Sequence, residues 1–272
     1  MTGRWLELVG GPVRASWRAG LGWAAAFVLL VVSTVAFWPA FEGSPAMTSG
    51  IMQMLDQVPG GMLDAFGLRD FNTAAGYLRG GLYEVIVPLM LAAAGVQLAS
   101  SATAGEEDAG RLELLVAQPV SRSAFFSSRA LGVLAWILGI AVVVLVSQLA
   151  SDAVFDLQIA GDRIVATVVL CTLLGLAHAG LALAIAGLTP RPGLVLTAGL
   201  GVALVGYLVA ALFPLSDPLS SWSGLSPWDW ALGGDPLTNA TEGWRYVALA
   251  VPAVLLALVG VAGFNRRDVR SA

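Results

Sequence analysis

The stretch IVATVVLCTLLGLAHAGLALAIAGLTP, Ile164–Pro190, contains no Asp, Glu, Lys or Arg. A helix rises ~1.5 Å per residue, so about 20 apolar residues cross the ~30 Å hydrocarbon core of a bilayer. This stretch is long enough, and five more resemble it: Ala19–Phe41, Val85–Gly105, Ala130–Ser151, Pro192–Ser216 and Tyr246–Asn265. With flanking turns allowed for, spans are expected near residues 19–41, 83–104, 129–151, 164–189, 193–215 and 245–265. None alternates polar and apolar residues as the ~10-residue strands of a membrane barrel do. The first is too long for the apolar region of a cleaved signal peptide, and no small-x-small site follows it. The expected fold is all-α and integral to the membrane, a single transmembrane domain over residues 1–272 with six transmembrane helices.

Composition agrees. The chain is 57% hydrophobic and only 12% charged, where soluble domains carry about a quarter charged residues. All 14 basic residues other than the single His are Arg; there is no Lys. A phosphate-binding loop of the G-x-x-x-x-G-K-[ST] type and a lysine Schiff base are therefore excluded. Any ATP used must bind another chain. The lone Cys171 allows no intrachain disulfide and no Cys-based metal cluster. A net charge of −4 does not point to nucleic acid.

Six spans place both termini on one side, and arginine decides which. The N-terminus, the second-to-third connection, the fourth-to-fifth turn and the C-terminus carry Arg4, Arg14, Arg18, Arg111, Arg122, Arg129, Arg191, Arg266, Arg267 and Arg270. The other side carries only Arg69, Arg79, Arg163 and Arg245. Ten against four makes the first side cytoplasmic and both termini with it, in a multi-pass protein of the cell membrane. The acids lean the other way, from Asp56 and Asp64 to Asp235 and Glu242.

The loops carry further structure. Ile51, Met52, Leu55, Val58, Met62 and Phe66 fall near helical spacing, broken at Pro59-Gly60-Gly61, which predicts short amphipathic helices on the outer membrane surface. Trp222, Trp228, Trp230 and Trp244 crowd the last outer loop, and Trp prefers the headgroup level, so this loop is expected to fold back onto the interface. Thr189-Pro190-Arg191-Pro192-Gly193 makes a tight hairpin. The N-terminal piece around Trp5, Leu8, Arg14 and Trp17 reads as an inner-surface helix interrupted at Gly10-Gly11-Pro12.

The most charged stretch is GEEDAGRLELLVAQPVSRS, Gly105–Ser123. Glu107 and Arg111 stand at i, i+4 in the favourable order. Leu112, Leu115 and Val116 share one helical face, Pro119 ends the helix, and Ser121 or Ser123 can cap the next. Periodicity alone also fits a plain loop whose charges keep it in water. That reading leaves an apolar face with no lipid to meet.

E-E-D-A-G-R-L-E-L-L-V-A-Q-P-V-S-R resembles the cytoplasmic signature of type-2 ATP-binding-cassette permeases, roughly E-E-x-x-G-T-L-E-L-L-L-A-x-P-V-S-R. Glu106, Glu107, Gly110, Leu112, Glu113, Leu114, Leu115, Ala117, Pro119, Val120, Ser121 and Arg122 match; Arg111 stands where Thr is common and Val116 where Leu is. Trp38-Pro39, Phe71 with Gly76-Tyr77-Leu78, and the closing Phe264-Asn265-Arg266-Arg267-Asp268 extend the resemblance. Gly10-Gly11-Pro12 departs from it. The resemblance implies an export subunit with no catalytic site of its own. Residues 105–123 would couple it to a separate ATPase subunit, present in two copies, which holds the ATP and Mg. A second permease half would complete a homo- or heterodimer. Leu112, Leu115 and Val116 would fill a groove on the ATPase, while Glu106, Glu107, Glu113 and Arg122 would make rim contacts or brace neighbouring helices. Cargo is expected to be hydrophobic small molecules such as antibiotics. Lipid, peptide or polysaccharide export, metal-centre assembly, and a non-transporting regulator or immunity protein are the alternatives.

His178 lies near the middle of the fourth span, where an ionisable group is a candidate for the substrate path, although a neutral imidazole can also simply bond helix backbone. Gln97 and Gln148 read as ties between helices. Met47, Met52, Met54 and Met62 mingle with Ile, Leu and Val and read as packing, not as a metal site.

Overall fold

The computed structural model describes residues 10–108, 110 and 121–267. Among them there are helices and no strands. Six are long and apolar enough to cross a bilayer: α1 (Trp17–Glu42), α2 (Ala74–Asp108), α3 (Arg122–Phe155), α4 (Gly161–Leu188), α5 (Pro192–Leu215) and α6 (Gly243–Arg266).

Two of these outrun their apolar runs. α3 starts at Arg122, where Ser121 Oγ accepts from the Ala124 N–H at 3.2 Å, and it ends where Asp156 turns left-handed at φ 48°. α2 begins at Ala74, with Thr73 Oγ1 accepting from the Gly76 N–H at 3.0 Å. It passes through a π turn at Arg79–Tyr83 before the regular helix Ile86–Ala102. Hydropathy misses this first part because it holds Arg79 and Glu84. They pair with each other at 3.0 Å, which lets the helix carry both.

α4 is the central helix. It packs against α2, α3, α5 and α6. Of its most apolar window 72% is buried, against 17% in α6 and 22% in α1 and α5, so those three turn most of their apolar surface outward. The cause is glycine. A Cβ at Gly180 would lie 2.6 Å from the Ala253 carbonyl oxygen, and one at Gly187 would collide with the backbone of Gly260. On the opposite face, a Cβ at Gly175 would meet the Leu91 backbone at 3.1 Å, and one at Gly95 would lie 2.9 Å from the Gly175 carbonyl. Helices in lipid associate by such close packing, since tails are as apolar as Leu.

α1 packs on α3, with Gly20 beneath the Trp136 ring. Residues 10–15 are helical, so among the described residues the chain is not broken at Gly10-Gly11-Pro12. Pro12 is buried, and a Cβ at Gly132 would meet it at 2.9 Å. The Trp136 indole N–H donates to the Val13 carbonyl at 3.2 Å.

The α1–α2 connection forms two short helices, Pro45–Leu55 and Gly60–Ala65, broken ahead of Gly60 as the sequence predicts. The α5–α6 connection differs from expectation. Trp222 and Trp244 are half exposed, but Trp228 is 2% exposed and enters the bundle on the helix Pro227–Leu232. Preference for the interface is a statement about an average Trp; this one lies between His178 and Tyr207.

Gly187→Val is expected to push α4 from α6 and to lower the thermal midpoint of the purified protein in detergent. Overpacking costs about 1–3 kcal/mol, and backbone atoms cannot yield as side chains do. Gly139→Val in α3 meets nothing within 4 Å and should leave the midpoint in place. Equal losses would show that the close crossing is not what holds the bundle.

Candidate functional site

α2 breaks at Thr103, where φ −128° and ψ −93° leave the helical region, and resumes as Ala104–Asp108. Glu106 and Glu107 occupy the start of this short helix. An anionic side chain is favoured at a helix N-terminus, but both carboxylates are also largely withdrawn from solvent and require cations. Arg129 of α3 supplies one, its Nη2 forming an ion pair with Glu106 Oε2 at 2.8 Å, with Glu106 8% and Arg129 6% exposed. Arg267, just past α6, supplies the other, its Nη2 donating to the Glu107 carboxylate.

Aromatic rings hold the two arginines. The Arg129 guanidinium stands 4.9 Å over the Phe125 ring, and Arg267 stands 5.6 Å from the Phe264 ring centre. Phe126 and Phe264 meet at 5.1 Å. Arg122 Nη1 donates to the Arg267 carbonyl at 2.9 Å. The end of α2 is therefore tied by charge to α3 and α6, and α3 and α6 are joined to each other.

Of the residues expected to couple to an ATPase, Glu106, Glu107 and Arg122 come together here, while Ser121 caps α3. Glu106 and Glu107 brace neighbouring helices. Gly110 adopts φ 68°, a left-handed conformation suited to glycine, and its N–H bonds the Glu107 carbonyl at 2.9 Å, which stops the short helix. Leu112, Glu113, Leu115, Val116 and Pro119, with Arg111 and the helix face expected there, lie outside the described residues. Arg129 and Arg267 were not singled out from the sequence. The signal for them is a pair of acids beside an apolar run, which must find cations somewhere in the fold.

His178 is 4% exposed. Its Nδ1 donates to the Leu174 carbonyl at 2.8 Å, one turn back in α4, and its ring meets the edge of Trp228 at 5.7 Å. Trp228 is held by its own short helix. Ser226 Oγ accepts from the Trp228 N–H at 3.1 Å and donates to the Gly206 carbonyl at 2.6 Å. Arg245 Nη1 donates to the Asp229 carbonyl at 2.7 Å. Nearby, Arg79 bridges Glu84 at 3.0 Å and Asp235 at 3.1 Å. A cavity of about 230 Å³ lies among Asp64, Arg79, Glu84, Tyr207, Trp228 and Asp229.

The two glutamines tie helices. Gln97 accepts from the Trp23 indole at 2.9 Å, joining α2 to α1, and Gln148 accepts from the Tyr83 hydroxyl at 3.1 Å, joining α3 to α2. No group of three His, Cys, Asp or Glu suited to a metal occurs among the described residues.

Six apolar helices packed about a glycine-lined centre, with ionic clusters at their ends, define a multi-pass membrane protein. The chain belongs to the family described as multidrug efflux system permease Rv1217c, C-terminal domain, whose model matches residues 10–265. No curated protein matches it.

Removing one partner of a buried ion pair costs about 3–5 kcal/mol, because the other charge stays buried alone. Glu106→Gln is expected to destabilise the purified protein by that order. The double variant Glu106→Leu with Arg129→Met should recover most of the loss, since it buries no charge. A thermal-melt comparison in detergent decides it; a double variant worse than the sum of its parts would refute the pairing.

Proposed function

We propose that the chain is the membrane half of an ATP-driven efflux transporter and that residues 105–123 are the element through which a separate ATPase acts on it. The observation that carries this reading is the double tie of Glu106 to Arg129 and Glu107 to Arg267. A stretch that only kept itself in water would leave its acids in water. These acids are joined to two other membrane helices, so a force on the stretch reaches α2, α3 and α6 together.

The match to the type-2 signature and the efflux description of the family support the same reading. The arginine count puts residues 105–123 in the cytoplasm, where ATP is, and the lack of Lys puts the ATP site on a partner. Two ATPase copies closing on ATP tilt the helices of two permease halves. The cargo is a hydrophobic small molecule, in keeping with the multidrug description. An apolar groove of about 350 Å³ between α3, α4 and α6, lined by Leu131, Leu176, Val254 and Leu258 among others, suits such a body.

Leu112→Asp with Leu115→Asp is expected to leave membrane insertion intact and to abolish co-purification with the ATPase. Glu107→Gln should keep the association but lower the stimulation of ATPase turnover by hydrophobic compounds several-fold. A doubly charged variant that still binds the ATPase normally would remove the docking assignment. Isolation without any nucleotide-binding partner in mild detergent would favour a non-transporting role.

A further inference from the structure

The last turn of α6 and the end of α4 form an open groove of about 440 Å³. It is lined by Leu188, Val259, Ala262, Gly263, Arg266 and Arg267. Leu188 is 62% and Val259 46% exposed, so the apolar wall faces away from the bundle, where a bilayer supplies acyl chains. The apolar run of α6 ends at Asn265. Both guanidinium groups therefore stand where hydrocarbon gives way to headgroups.

Their donors are not all met. Arg267 gives Nη2 to Glu107, while its Nε and Nη1 are buried with no acceptor among the described residues. A cation whose buried N–H groups lack acceptors among the described residues favours an added acceptor. Arg266 is exposed beside it, free to swing toward the same acceptor. A phosphate offers several strong acceptor oxygens and a negative charge.

We infer that this groove binds an anionic phospholipid, its phosphate on Arg266 and Arg267 and an acyl chain along Leu188 and Val259. The inference goes beyond the transport reading: it needs this end of the bundle at a membrane surface, whichever surface that is, and needs no ATPase. A lipid phosphate there shares Arg267 with Glu107, so occupancy bears on the pair that ties the end of α2 to α6.

The test is native mass spectrometry of the purified chain equilibrated with equal amounts of phosphatidylglycerol and phosphatidylcholine. Phosphatidylglycerol should be retained over phosphatidylcholine by roughly tenfold, as expected for a charge-assisted contact. Arg266→Gln should remove most of that preference. Ala262→Trp, which fills the groove and keeps both arginines, should do the same. Equal retention of the two lipids, or an unchanged preference in both variants, overturns the site. Displacement of phosphatidylglycerol by millimolar glycerol phosphate as effectively as by added lipid also overturns it, because the ligand would then be a soluble phosphate.

Discussion

Nothing in a bilayer drives one apolar helix onto another, since leaving lipid for protein exchanges one hydrocarbon surface for another. The bundle depends instead on how near α4 lets its neighbours come. At Gly180 and Gly187 it meets the main chain of α6, and at Gly175 it meets that of α2. Contact at that range gathers dispersion from many atom pairs, each worth only ~0.1–0.2 kcal/mol. It also fixes register, because a shift by one residue would bring a side chain against a carbonyl. The placement of α2 and α6 about α4 follows, and with it the meeting of their ends near Glu107 and Arg267.

Charge completes what glycine begins. Three acids at the membrane ends have a cation on another segment: Glu106 on α3, Glu107 at the end of α6, and Asp235 on α2 through Arg79. A buried pair adds little net stability over an apolar substitute, but breaking one is severe. Such pairs are better suited to specify which helix ends belong together than to hold the bundle by brute strength. Here they sit at the two ends of the spans, while the middle is joined by close backbone contact.

The six spans are legible in the sequence because lipid demands long uncharged runs. The start of α2 is not, and that of α3 is marked only by its Ser121 cap. Arg79, Glu84, Arg122 and Arg129 look like water-facing residues until their partners are known, and those partners can lie far along the chain: Glu107 and Arg267 are separated by 160 residues. A one-dimensional pattern carries no record of such pairs. Trp228 shows a related limit. Its neighbours Trp222 and Trp244 keep surface exposure as average partition behaviour suggests, but Ser226 and Arg245 fix a helix that takes Trp228 inward. Within residues 105–123 the motif draws attention to the acids and to Gly110. Only the fold shows that Glu106 and Glu107 face other helices.

α3 has one more property, a matter of length. Its 34 residues run unbroken from Arg122 to Phe155, about 51 Å at ~1.5 Å per residue, well beyond the ~30 Å hydrocarbon thickness. One end is bound into the arginine cluster and the other stops at the left-handed Asp156. A helix of that length that pivoted at its midpoint would act as a lever. A tilt of roughly 10° carries each end about 4 Å, in opposite directions. A displacement at Arg122 would in that case be matched by an opposite one beyond the far side of the membrane.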